Sequence, residues 1–128
     1  MRLLLDTHVL IWWFLDQRQL SPAAREAIGD ERNGAFVSAA SLFEISTKQR
    51  SGKLPNVGPL LEEIEPRLAE QLFEALPITI RHGARADALA GTHKDPFDRM
   101  LAAQALAEGL TLVSADAALD QFGVRRLW

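Results

Sequence analysis

The stretch Arg2-Leu3-Leu4-Leu5-Asp6-Thr7-His8-Val9-Leu10-Ile11-Trp12-Trp13-Phe14-Leu15 decides how this chain is read. Leu3 to Leu5 is a continuous apolar run, the pattern of a short strand covered on both faces. Residues 7–15 then read as an apolar helix. Asp6 therefore stands at the C-terminal end of a buried strand, where open α/β sheets place their ligand crevice. A carboxylate after three leucines is costly to bury without partners. A cap on the helix beginning near Thr7 is its structural alternative.

Outward from this stretch, strands and helices alternate. Ser21-Pro22 has the form of an N-cap followed by proline at the first helical position, so a helix runs through Ile28. Asp30 to Gly34 is a polar turn, and Ala35-Phe36-Val37-Ser38 a second strand. A helix follows from about Ala39 to Arg50, ended by Ser51-Gly52. Residues 58–75 hold one or two amphipathic helices, interrupted at Pro66. Pro77-Ile78-Thr79-Ile80 reads as a third strand, His82 to Ala90 as a helix stopped by Gly91, and Pro96 to Glu108 as a helix closed by Gly109. Leu110 to Val113 is a fourth strand, Asp116 to Gln121 a short helix, and Val124 to Leu127 an edge strand. Strands separated by helices imply right-handed crossovers. The expected fold class is α/β: a three-layer α/β/α sandwich with a central, mainly parallel sheet of four to five strands. The order of the strands does not follow from this pattern.

With 128 residues, 48% hydrophobic and 24% charged, the chain is expected to form a single domain over 1–128 rather than to be disordered. The absence of cysteine excludes a disulfide framework and thiolate zinc sites. No run has membrane-spanning length and no basic leader precedes an apolar stretch, so a cytoplasmic protein without membrane attachment is expected. A net charge of −3 argues against holding nucleic acid by bulk electrostatics. Any such contact falls to local clusters, of which Lys48, Arg50 and Lys53 is the best, with Arg81, Arg85 and Arg99 scattered. The same lysines and arginines also suit a solvated helix face.

Three further acidic segments fall at the same predicted sheet edge as Asp6: Glu44, the pair Asp95/Asp98, and Asp116. Each has a structural alternative. Glu44 lies three residues after Ser41, as in a capping box, and four before Lys48, as in a helix-surface pair. Asp95 fits an N-cap before Pro96, and Asp98 favours the same helix end through the dipole. Asp116 could cap the last short helix. One cap needs one acid, however, and convergent carboxylates repel unless cations hold them together. Oxygen ligands of this kind suit Mg²⁺ or Mn²⁺, and such a centre suits phosphoryl chemistry. No competing constellation appears: His8, His82 and His93 lack H-E-x-x-H spacing, and there is neither a phosphate-binding glycine loop nor a G-x-S-x-G elbow.

The order of these residues resembles the PIN-domain ribonucleases, in particular the VapC-type toxins of bacterial toxin–antitoxin pairs. The matching segments are Leu3 to His8, Ser38 to Ile45, His93 to Ala105 and Leu112 to Asp116, the third being the most specific. The resemblance implies a PIN-like sandwich with Asp6, Glu44, Asp98 and Asp116 around one or two Mg²⁺ or Mn²⁺ ions. It implies Asp95 as an additional acid, and Thr7 and Ser114 as hydroxyls supporting the ligands. It implies an endoribonuclease that cleaves RNA, forms homodimers and is inhibited by a cognate antitoxin protein reaching the active site. Lys48 or Arg99 is expected to steady a phosphate.

Two other readings compete with this one. A phosphotransfer receiver needs an acceptor aspartate ending its middle strand, and a dehalogenase-like phosphatase needs a second Asp two residues after the first; here these positions hold Ile80-Arg81 and His8. A non-catalytic, metal-containing PIN-like module binding RNA or protein is the stronger alternative. Trp12-Trp13-Phe14 would then be a partner surface, although aromatics at helical spacing are by default core.

Overall fold

The computed structural model describes residues 1–128. Its strands are β1 (Arg2–Leu5), β2 (Gly34–Ser38), β3 (Glu74–Leu76), β4 (Thr111–Val113) and β5 (Arg126–Leu127). Its α-helices are α1 (Thr7–Leu15), α2 (Pro22–Gly29), α3 (Ala39–Arg50), α4 (Gly58–Glu62), α5 (Ile64–Glu70), α6 (Ile80–Ala86) and α7 (Pro96–Glu108), with 3₁₀ turns at Gln17–Gln19 and Ala117–Phe122. The sheet order is β3-β2-β1-β4-β5, and every pair is parallel. No helix is long and apolar enough to cross a membrane.

The leucines of β1 explain why it lies at the centre. Leu3 and Leu5 face a core with Val9 and Leu10 of α1, Ile28 of α2 and Ile45 of α3. Leu4 faces the opposite core, with Leu101, Ala102 and Ala105 of α7 and Leu112 of β4. All three leucines are fully buried. Adjacent residues on a strand point to opposite faces, so a run of leucines suits helices on both sides. This is the expected three-layer sandwich. The small side chains of Ala102 and Ala105 let α7 approach the sheet closely. Each fully buried leucine contributes about 1.5–3 kcal/mol of transfer free energy.

Several elements differ from the sequence reading. The third strand is Glu74–Leu76 rather than residues 77–80. Pro77 has no N–H for a ladder, and Thr79 caps α6 instead. Thr79 Oγ1 accepts from the backbone N–H of His82, and His82 Nδ1 accepts from the N–H of Thr79, so histidine takes the part usually played by Glu or Gln in a capping box. Ile80, whose apolarity suggested a strand, is 93% exposed. The helix predicted over 82–90 therefore begins and ends earlier, at Ile80 and Ala86. Pro66 does not break the helical stretch; it sits in the first turn of α5, where its missing N–H is harmless, and the break falls at Glu63. The aromatic run is half-buried against the core: Trp13 and Phe14 pack against Phe73 at centroid distances of 6.0 and 6.1 Å. Trp12 meets Trp128 at 6.0 Å.

Candidate metal centre

Asp6 continues the β1–β4 ladder through its N–H to Val113 O at 3.0 Å, then ends the strand and caps α1. Its Oδ1 accepts from Thr7 N and its Oδ2 from Ser114 Oγ, both at 2.7 Å. The side chain is only 8% exposed. Burial pushes its carboxyl above the usual carboxylate range, while the bonds from Ser114 and Thr7 N pull the other way. Ser114 thus supports the acid directly, and its Oγ also accepts from Asp116 N at 3.0 Å.

Glu44 comes from α3 and is 3% exposed. Its Oε1 accepts from Thr7 Oγ1 at 2.7 Å, and Lys48 Nζ holds its Oε2. Thr7 Oγ1 also lies 3.2 Å from Ser41 Oγ. The Ser41–Glu44 capping box expected from spacing is not formed. Ser38 caps α3 instead, its Oγ accepting from Ala40 N at 3.0 Å, because the helix begins at Ala39. That leaves Ser41 and Glu44 within the helix, pointing to Thr7. The predicted Glu44–Lys48 ion pair is present, with Glu44 holding the lysine above its ordinary pKa. Asp95 and Asp98 act on Lys48 in the same direction, which places the ammonium at the rim of the acidic group.

Asp95 caps α7, its Oδ1 accepting from Phe97 N at 2.8 Å and Asp98 N at 3.2 Å. Asp98 is left free of capping, and its Oδ2 lies 2.6 Å from His93 Nε2. Its pKa is pushed up to about 6, first by burial and then by the charges of Asp6 and Asp95, against the pull of His93. The same bond raises the imidazole of His93. Asp116 stands beyond β4, exposed, its Oδ1 accepting from Ala118 N at 2.9 Å. Ligand-capable atoms of His93, Asp98 and Asp116 all lie within 4.8 Å of one another.

The donor set is mostly carboxylate oxygen with one imidazole, which fits a hard or borderline divalent cation such as Mg²⁺ or Mn²⁺. Burial raises the carboxyl of Asp98 first, and the nearby charges of Asp6 and Asp95 add to it, a repulsion that a cation would relieve.

The sequence does not mark His93 as a site residue, because no short motif joins it to Asp98. Its position depends on the loop before α7 folding back. Arg99 makes that fold. Its Nε donates to His93 O at 2.7 Å, its Nη1 to Leu89 O at 2.9 Å and its Nη2 to Gly91 O at 2.9 Å. Its guanidinium also lies 5.3 Å from the ring centroid of Phe122. The expected phosphate contact by Arg99 is therefore corrected: its donors are spent on loop carbonyls, and it holds the loop rather than facing the acids.

A PIN domain family model matches residues 3–124. Ribonuclease VapC22 of Mycobacterium tuberculosis is 34% identical over 117 residues, which span 91% of this chain and 88% of that protein. Among solved structures, DNA-bound VapBC from Salmonella typhimurium matches with a TM-score of 0.73 at 20% identity, over 99% of this chain and 97% of that one. VapBC2 from Rickettsia felis, bound to a DNA fragment from its promoter, gives 0.73 at 15% identity, over 99% and 98%. FitAcB from Neisseria gonorrhoeae gives 0.61 at 20% identity, over 98% and 96%. At these identities the solved structures speak to the fold, and the family match with the VapC22 alignment speaks to descent. The chain belongs to the PIN domain family.

Proposed function

We propose that this chain is a divalent-metal-dependent endoribonuclease and the toxin of a type II toxin–antitoxin pair. The observation that carries the reading is the meeting of Asp6, Glu44, Asp98 and Asp116 at the C-terminal edge of the sheet, joined through Thr7, Ser114 and His93. The relative named a ribonuclease and the VapBC complexes of like fold support it. They also support a cognate antitoxin as partner; an RNA substrate, a homodimer and a cytoplasmic location belong to the same reading.

Asp6, Asp98 and Asp116 would hold one or two Mg²⁺ or Mn²⁺ ions, with Glu44 binding directly or through water. When bound, such ions neutralise phosphate charge and acidify water at neutral pH. The chain's own groups prepare the site. Ser114 and the Thr7 N–H fix both oxygens of Asp6. Thr7 Oγ1 and Lys48 fix those of Glu44. His93 Nε2 lies 2.6 Å from Asp98 Oδ2, so the imidazole orients that ligand and would be the nearest ring able to give a proton to a leaving oxygen. Lys48 stands where it can meet a phosphate once Glu44 is otherwise engaged.

Controlled expression in a bacterial host tests the toxin reading. Induction should arrest growth and be accompanied by RNA fragmentation, and Asp6→Asn should relieve both. Unimpaired growth on accumulation of soluble wild-type chain would contradict it.

A further inference from the structure

Beside the acids lies a cleft of about 290 Å³ lined by Asp6, His8, Val9, Trp12, Ala115 and Asp116. Its volume falls just below the roughly 300–1,000 Å³ that holds drug-sized ligands, a scale that suits a smaller group such as a single nucleobase. His8 and Trp12 are one helical turn apart on α1 and share a face. Their ring centroids are 5.7 Å apart, with the planes tilted by 43°. His8 is exposed and Trp12 half-buried. The indole is held from behind: it packs on the core and meets Trp128 at 6.0 Å. The same helix is capped by Asp6, so the aromatic face is rigidly tied to an acid of the metal centre.

We propose that this cleft is a stacking subsite for one unpaired RNA base, with Trp12 as the platform, His8 as the flanking ring and the adjoining phosphate directed to the acids. The proposal rests on the nuclease reading above and adds the substrate's mode of attachment. An aromatic face next to a phosphate-handling centre is how proteins hold single-stranded nucleic acid without reading it. Much of the wall does not read base edges: Val9 and Ala115 offer no side-chain hydrogen bond, Asp6 already accepts from Thr7 N and Ser114, and Asp116 Oδ1 accepts from Ala118 N, which leaves His8 as the ring beside the platform. A base in a duplex could not enter a cleft of this size. The site therefore selects a looped or single-stranded position by shape.

The test pairs cleavage with binding. Trp12→Leu, Trp12→Phe and His8→Ala are compared with wild type on a single-stranded RNA in Mn²⁺. A cleavage-resistant 2′-O-methyl hexamer is followed by fluorescence anisotropy in Mg²⁺. Trp12→Leu should raise KM and the hexamer Kd about tenfold, with the loss falling on KM rather than kcat, and Trp12→Phe should recover most of it. Exchanging one base for another along the hexamer should change Kd little, whereas one abasic position should weaken wild type and leave Trp12→Leu unchanged. Should Trp12→Leu fail to fold, His8→Ala, altered only at the surface, should still raise the hexamer Kd. Cleavage with wild-type KM and Kd in a folded Trp12→Leu, or in His8→Ala where Trp12→Leu does not fold, would overturn the subsite and leave the nuclease standing. Trp12-dependent hexamer binding without cleavage of any RNA would do the reverse. Neither binding nor cleavage would overturn both.

Discussion

Ser114 Oγ donates to Asp6 Oδ2 at 2.7 Å across 108 residues of sequence. One hydroxyl thus ties the end of β4 to the end of β1 and fixes an acid whose other oxygen is held by Thr7 N. The Ser114 bond matters because Asp6 is buried and its charge must be matched.

Removing that hydroxyl should weaken the centre without removing a ligand. Ser114→Ala leaves Asp6 with one donor fewer, and bonds to charged groups contribute about 1.5–3 kcal/mol. Loss of a group that orients a ligand typically weakens metal affinity by about 10–100-fold. Calorimetric titration of Mn²⁺ into wild type and Ser114→Ala should show a rise in Kd of that order. Equal affinities would mean Asp6 is placed by other contacts.

A second tie joins the elements that deliver Glu44 and Asp98. Gln104 of α7 is fully buried; Ser38 Oγ, the cap of α3, donates to its Oε1. Its Nε2 donates to Pro77 O at 3.3 Å and lies 3.4 Å from His82 Nδ1. Gln104→Leu should orphan these groups and cost about 1–3 kcal/mol or more, since several partners lose their bond at once. Urea denaturation should show a lower midpoint at unchanged slope.

Burial of Asp98, with the charges of Asp6 and Asp95 beside it, should appear in the pH dependence of the metal-free protein. Its pKa in the fold, about 6, lies above the unfolded value of about 3.9. The protonated form is therefore favoured by folding, so the contribution is full below the unfolded pKa and is lost as pH rises through about 6. His93, also raised, has the same sign: its contribution is present below the unfolded histidine pKa of about 6.5 and lost as pH rises through its folded value. Between pH 4 and 7 the melting temperature of wild type should fall relative to that of Asp98→Asn, and Mn²⁺ at pH 7 should restore it. Parallel curves would contradict a raised Asp98 carboxyl.

The elements that deliver the acids were legible where local signals agree. Leu3-Leu4-Leu5 marks β1, Ser21-Pro22 opens α2, and Asp95-Pro96 with Gly109 brackets α7; Gly109 adopts the left-handed conformation that closes that helix, at φ 66°. β3 was misplaced because it is a three-residue edge strand beginning with a glutamate, while the apolar pair Ile78 and Ile80 lies just beyond it. Ser38 and Ser41 are both plausible caps, and only the start of α3 at Ala39 decides between them. His82 completes the Thr79 capping box in place of the usual Glu or Gln, so the sequence carries no standard signal for it. The parts played by His93 and Arg99 come from a loop folded against α7 and Phe122, and no periodicity records such contacts.

The most direct measurement is cleavage of total cellular RNA by the purified, antitoxin-free chain, with Mn²⁺ and with EDTA, beside Asp6→Asn. The account predicts discrete fragments with Mn²⁺, none with EDTA, and none from a folded Asp6→Asn. Fragments of equal yield from Asp6→Asn, or in EDTA, would contradict a metal centre built on Asp6, and no cleavage by a folded, metal-binding wild type would favour the non-catalytic module.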